Sequence, residues 1–313
     1  MLFQLEPLRF SFTAREPIHF PEGKSANILR GAFGTIFRRI ACLPHCTGAM
    51  ACPNRTACPY ARLFEPSANG QGPSGLADWP RPFVFRAIHL DGQTFAPGQR
   101  FHFDLHLFDL SSPVIAYFVL TFAQLARDGL GPGRSKVDLI TVSKLNEQGQ
   151  PCTLIYEDGL IKPQNDPLPL TLNLTPTGAH ISHLRVKFMT PTELKSGQQI
   201  AARPEFAILA TRARDRISNL RELYGAGPLT IDFREFGERA ALVKMTRCDI
   251  ASVDIQRRST RTGQTHSIGG FMGEADYQGE LAEFLPLLNA TRWTGVGRQT
   301  VWGKGEIAVL CAS

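Results

Sequence analysis

Polar and apolar residues alternate along residues 2–12 (LFQLEPLRFSF), the period of two that predicts a β-strand with one buried face. The period changes at Ser25. Over residues 25–40 apolar positions recur four apart, at Ile28, Ala32, Ile36 and Ile40, which predicts a helix with Ser25 as its N-cap. Residues 81–90 and 101–110 again read as strands, joined by a connection that contains the turn dipeptide Asp91-Gly92. In the second of these, Phe101, Phe103, Leu105 and Leu107 share one face and His102, Asp104 and His106 the other, which predicts a core face and a solvent face. Pro113 opens a second helix to residue 127, and a glycine-rich loop, GLGPGRSK over 129–136, leads into a last strand over 137–145.

The same order returns after residue 180. Residues 183–190 predict a strand, and 204–224 a helix in which Phe206, Leu209, Ala213, Ile217, Leu220 and Tyr224 keep a three-four spacing. Two strands flank the hairpin QRRSTRTGQTHSIGG. A short helix over 280–288 then precedes the basic loop RWTGVGRQTVWGKGE (292–306) and a final strand over 305–310. Each half therefore reads β-α-β-β-α-β, and the predicted fold class is α+β, with two tandem ferredoxin-like (RRM-like) domains. The first is expected over 1–146 with a cysteine-rich insertion at 42–80, the second over 181–313. Residues 147–180, rich in Pro, Gln, Asn and Thr, read as a linker with a small hairpin at 154–161. A period this long signals a duplicated domain rather than a solenoid.

Composition narrows the class. The chain has 313 residues, 43% of them hydrophobic, and a formal charge of +6, enough apolar residues for two cores and a balance that favours an acidic partner. No basic segment precedes an apolar run at the N-terminus, and the longest apolar stretch, 114–120, is far short of a membrane span. A cytoplasmic protein with no membrane partner is expected. Seven cysteines without a secretory signal argue against a disulfide framework, yet Cys42, Cys46, Cys52 and Cys58 cluster. Four thiolates in so short a stretch are the donor set of a structural zinc site, although the spacing is not the common CxxC pair, and an iron–sulfur cluster or free or redox thiols are the alternatives.

The basic loop near the C-terminus matches neither common phosphate-binding pattern. Residues 297–305 (GRQTVWGKG) have one residue too many before Gly303-Lys304 for a P-loop, and then Gly where Ser or Thr should hold magnesium. A dinucleotide fingerprint would need a third glycine, or a small substitute, at Thr300 and a helix after it. The loop instead offers glycines that let backbone approach backbone, Arg298 and Lys304 for phosphates, and Trp293 and Trp302 for stacking, a combination suited to RNA. Tryptophans in a core and glycines in a tight turn are the structural alternative.

Two such halves, each with a glycine-rich loop after its second helix, resemble the RAMP proteins of CRISPR systems. The stretch RRSTRTGQTHSIGGFMGEADYQGELAEFLPLLNATRWTGVGRQTVWGKGEI, together with FMTPTELKSG and PEFAILATRARDRISNLRELYG upstream, is similar to the endoribonucleases that cut precursor CRISPR RNA within its repeats. ILRGAFGTIFRRIACLPHC and CPYARLF resemble a subgroup that carries a cysteine cluster. The resemblance implies CRISPR repeat RNA as substrate, crRNA as product, and no catalytic cofactor, the ribose 2′-OH attacking the adjacent phosphate. It places the catalytic histidine near the first helix, where His19 and His45 both qualify, with Lys24 or Arg30 stabilising charge. It implies RNA contacts from Arg257, Arg258, Arg261 and His266 of the hairpin, from Arg298 and Lys304, and from Arg134 and Lys136 of the first glycine-rich loop. Two rivals stand beside it: a non-catalytic RNA-binding subunit of a CRISPR effector complex, and a zinc-stabilised RNA-binding protein outside CRISPR.

Overall fold

The computed structural model describes all residues except 44, 71, 74, 75, 77, 112, 164–167, 177, 179, 259–262, 264, 312 and 313. The chain forms two compact units. One comprises Gln4–Leu170 with Leu223–Gly225; the other comprises Met1–Phe3, Thr171–Glu222 and Ala226–Ser313.

The first unit is built from β1 (Leu2–Ala14), β2 (Ile18–His19), α1 (Ser25–Ala41), α2 (Pro59–Phe64), β3 (Phe83–Arg86), β4 (Thr94–Phe95), β5 (Arg100–Leu107), α3 (Val114–Asp128), β6 (Val137–Leu145), β7 (Pro151–Glu157) and β8 (Leu160–Ile161). Its main sheet runs β3-β5-β1-β6-β7-β8. Alternation in β1 and β5 sets Phe10 opposite Phe103 and Phe12 opposite Phe101, with ring centroids 5.2 and 5.3 Å apart. Phe122 of α3 packs 5.1 Å from Phe10, and Phe33 of α1 stacks 4.3 Å from Phe118 of α3. A phenylalanine core thus welds both helices to one face of the sheet.

Three expectations change here. The segment read as a linker adds β7 and β8 to the sheet, β7 pairing with β6 so that Tyr156 faces Val142. The strand expected over 81–90 stops at Arg86, because the chain turns through a single helical turn at Ile88–Leu90 to deliver Asp91 to the start of α1. Ser25 is therefore not the N-cap: Lys24 holds that position, and Asp91 accepts the Ser25 amide at 3.0 Å and its hydroxyl. A carboxylate at a helix N-terminus satisfies an orphan donor and suits the helix dipole.

The second unit contains β9 (Leu170–Asn173), β10 (His183–Thr192), β11 (Lys195–Ser196), β12 (Gln199–Ile200), α4 (Phe206–Tyr224), α5 (Phe233–Leu242), β13 (Lys244–Val253), β14 (Gln256–Arg258), β15 (Thr265–Ser267), β16 (Gly270–Gln278), α6 (Leu285–Thr294) and β17 (Ile307–Cys311). Its sheet runs β13-β16-β10-β17, antiparallel throughout. Phe206 of α4 meets Tyr277 and Phe284 edge-on at 5.1 Å each, and the Tyr277 hydroxyl donates to the Pro204 carbonyl at 2.6 Å.

Periodicity did not anticipate α5. Its signal was a cap: Asp232 accepts from the amides of Arg234 and Glu235, both at 2.9 Å, and an Asp followed three residues later by Glu marks a helix start. Helix α6 begins later than expected, with proline in its first turn, and runs on through Arg292-Trp293-Thr294. Gly295, at φ +69°, ends it by donating to the Thr291 carbonyl at 2.8 Å.

Candidate functional site

The first glycine-rich loop is folded back on itself. A Cβ on Gly129 (φ +110°) would sit 2.1 Å from the Arg134 carbonyl oxygen, so only glycine admits the hydrogen bonds that Leu130 and Ser135 exchange at 2.9 and 3.0 Å. Arg134 occupies the left-handed region at φ 52° without being glycine, and its side chain is exposed. The loop docks on the segment that enters β2: Ser135 Oγ donates to the Pro17 carbonyl at 2.6 Å, and the Lys136 amide donates to Glu16 at 2.8 Å.

That docking sets the loop beside His19. The imidazole is exposed, and its Nδ1 lies 2.9 Å from Thr94 Oγ1 across the β2–β4 pair. Among the described residues Nε2 has no hydrogen-bond partner. Lys24, also exposed, stands at the N-cap position of α1. Lys136 takes a different part from the phosphate contact expected of it. Its Nζ donates to the carbonyls of Arg127 and Asp128 at 2.9 and 3.1 Å, closing the C-terminus of α3.

His45 lies at the other end of α1. That helix has 17 residues, a length of about 25 Å at ~1.5 Å per residue, so His19 and His45 cannot serve one phosphate. Arg30 sits between them, its guanidinium 4.2 Å above the Phe64 ring, fastening α1 to α2. His45 is exposed and helps line a cavity of about 470 Å³ together with Cys42, Cys46, Cys52 and Cys58. Burial, with the neighbouring thiols Cys46 and Cys58, pushes the Cys42 thiol up to about 12; the Gly48 backbone, Cys42, Arg38 and Cys52 hold Cys46 below its ordinary value. Among the described residues no group of three or more Cys, His, Asp or Glu side chains stands gathered to hold a metal ion.

His102, Asp104 and His106 do not lie on a solvent face. His106 is 5% exposed, Asp104 takes a bidentate pair from Arg9 at 2.7 and 2.9 Å, and His102 stacks 4.6 Å from His89. Burial, helped by Arg9 and His89, lowers the pKa of His102.

The second glycine-rich loop is tighter. A Cβ on Gly305 (φ +69°) would fall 2.0 Å from the Val296 carbonyl oxygen, and the Val296 amide donates to Gly305 at 2.8 Å. Doubling the loop this way turns Lys304 inward. It is 5% exposed, and Trp293 is 4% exposed, so neither presents the surface for RNA expected of it. Arg298 is half exposed. In the basic hairpin, Arg257 stands opposite His266 and Arg258 opposite Thr265; Arg261 lies outside the described residues.

A family model described as an N-terminal domain matches residues 3–168, and the model of the CRISPR-associated endoribonuclease Cas6 matches residues 186–307. The C-terminal part of the chain thus carries a Cas6 domain. No curated protein matches it. Among solved structures, a Cas6 product complex aligns over 98% of this chain and 99% of its own at 17% identity and a TM-score of 0.56. Thermus thermophilus Cas6 aligns over 98% of each chain at 15% identity and a TM-score of 0.54. A partial Cas6-RT-Cas1–Cas2 complex aligns over 99% of this chain and 46% of its own, at 11% identity and a TM-score of 0.56. At these identities the likeness is one of fold, a mixed α+β architecture with antiparallel sheets. Among the described residues no helix is long and apolar enough to cross a membrane.

Proposed function

We propose that this chain is a metal-independent endoribonuclease that cuts CRISPR repeat RNA to crRNA. The observation that carries the reading is the seating of His19 beside a glycine-rich loop with an exposed arginine, in a chain whose C-terminal half matches the Cas6 family model. Both sheets place the second, third, first and fourth strands of a β-α-β-β-α-β run in that order, which supports reading each half as ferredoxin-like, the first sheet extended by β7, β8 and β9.

In the reaction the ribose 2′-OH attacks the adjacent phosphorus and the bond to the 5′-oxygen breaks, leaving a 2′,3′-cyclic phosphate and a 5′-OH. One proton must leave the 2′-OH and one must reach the 5′-oxygen. With Nδ1 of His19 engaged by Thr94, Nε2 is the atom to exchange a proton with substrate. Lys24 supplies positive charge for the developing phosphorane. Arg134, Arg298 and the hairpin residues Arg257, Arg258, Arg261 and His266 hold the RNA.

The test is cleavage of repeat RNA with EDTA in the buffer. His19→Ala should abolish cutting, His45→Ala should leave it, and a 2′-deoxy at the scissile position should block it. Undiminished cutting of the deoxy substrate would exclude the mechanism, and RNA bound tightly but never cut would assign the chain to the non-catalytic subunits.

We also assign a structural zinc to Cys42, Cys46, Cys52 and Cys58. Four soft thiol donors line one cavity, a donor set that suits that ion; it would tie down a loop with few buried apolar side chains. One zinc per chain by elemental analysis, lost in Cys46→Ser, is the expected result. A zinc-free protein with an unchanged melting temperature would refute it.

A further inference from the structure

The strand end that receives the second glycine-rich loop carries an acid with no part in the reading above. Glu193 follows β10. Its carbonyl oxygen accepts the Arg298 amide at 2.9 Å, and a Cβ on Gly297 (φ +82°) would lie 2.3 Å from that oxygen, so loop and strand meet here in backbone contact. The Glu193 carboxylate then accepts from Nη1 of Arg298. The acid is 18% exposed and the arginine 49%, so the pair has one end in the protein and one in solvent. The next residue is fixed as well. Gln299 is held in the left-handed region at φ 63°, and its side-chain Nε2 donates at 3.1 Å to the carbonyl of Ser267, the last residue of β15 in the basic hairpin.

Among the described residues Glu193 is the one partner of the Arg298 side chain. A guanidinium has five donors in a rigid planar fork, and anchoring Nη1 restricts the directions in which the remaining donors can point. We propose that Glu193 is a positioning residue that aims Arg298 at a single phosphodiester of the bound RNA. The inference rests on the reading that this loop grips RNA.

Two roles for the acid make opposite predictions. A carboxylate that merely competed with phosphate would weaken binding, and its removal would strengthen the complex by adding net positive charge beside a polyanion. A carboxylate that aims the guanidinium does the reverse: its removal costs directed contact despite the added charge.

The experiment measures the affinity of the full chain for repeat RNA and for a scrambled RNA of equal length across a salt series. Glu193→Ala should weaken repeat binding about five- to tenfold and reduce the preference over scrambled RNA, with the salt slope unchanged. Glu193→Gln keeps an acceptor and should restore most of that preference. Arg298→Lys keeps charge without the fork, so it should lose preference yet hold the slope, whereas Arg298→Ala should lower the slope by about one. Repeat binding by Glu193→Ala as tight as the parent's, or tighter, overturns the inference while leaving the loop's grip on RNA intact. Parent-like binding by Arg298→Ala overturns the grip itself.

Discussion

Replacing Gly305 by alanine tests whether the second glycine-rich loop is built by close approach of backbone or only by a left-handed turn. Gly305 sits at φ +69°, and the left-handed conformation alone costs an alanine ~1–2 kcal/mol. Its new methyl would also meet the Val296 carbonyl oxygen at 2.0 Å, far inside contact distance. That carbonyl cannot swing aside cheaply. Val296 and Gly305 are joined by the 2.8 Å bond from the Val296 amide, and the Gly305 amide donates to Pro191 at 3.1 Å. Overpacking adds ~1–3 kcal/mol and a lost backbone hydrogen bond about 1, so Gly305→Ala should cost about 3–6 kcal/mol. Gly197, in the turn between β11 and β12, supplies the control: its φ is +58° and a Cβ there meets nothing within 4 Å. Gly197→Ala should cost about 1 kcal/mol. Both glycines lie in the unit that holds Trp293 and Trp302, so guanidinium titration followed by tryptophan fluorescence in a Trp79→Phe background reads that unit alone. Equal losses at the two positions, within about 0.5 kcal/mol, would refute the close-approach argument.

Further outcomes concern the first unit. Lys144 and Glu6 form a buried pair at 3.0 Å, so Lys144→Met should cost about 3 kcal/mol by stranding the carboxylate, and adding Glu6→Leu should recover most of it; a double variant no more stable than the single one contradicts this. Burial holds His102 below its ordinary value of 6.5, so the unfolded chain binds the proton more readily. Its contribution to stability is complete above pH 6.5 and lost as pH falls through the window below it, and a denaturation series should show that slope flattened by His102→Gln. A Cβ on Gly34 would lie 2.1 Å from Cζ of Phe64, so Gly34→Ala should cost about 2 kcal/mol by expelling the ring that seats α2, and Phe64→Leu should relieve it; thermal melts of the single and paired variants check this.

Much of the fold was legible because it rests on local periods. The alternation of Phe101, Phe103, Leu105 and Leu107 buries one face of β5 whatever surrounds it, and the three-four spacing from Phe206 to Tyr224 makes α4. Helix α5 went unread, because its signal lies in the cap pair Asp232 and Glu235 rather than in hydrophobic spacing. The charged residues were another matter. Lys304, Lys136 and Arg298 look alike in the sequence, but one is buried in the doubled loop, one closes the end of α3 and one leans on Glu193.

The sequence by itself determined the mixed α+β class, the glycines where backbone must turn left-handed, and the likeness of its C-terminal part to Cas6, because each depends on residues close together in the chain. Only the tertiary structure decided that His19 and His45 sit at opposite ends of α1, that Asp91 rather than Ser25 caps that helix, and that His19 keeps company with Thr94 and the first glycine-rich loop. The physical reason is that a side chain's chemistry is set by what touches it. For His19 that partner lies 75 residues away along the chain, across a pairing of two-residue strands with no period to announce it.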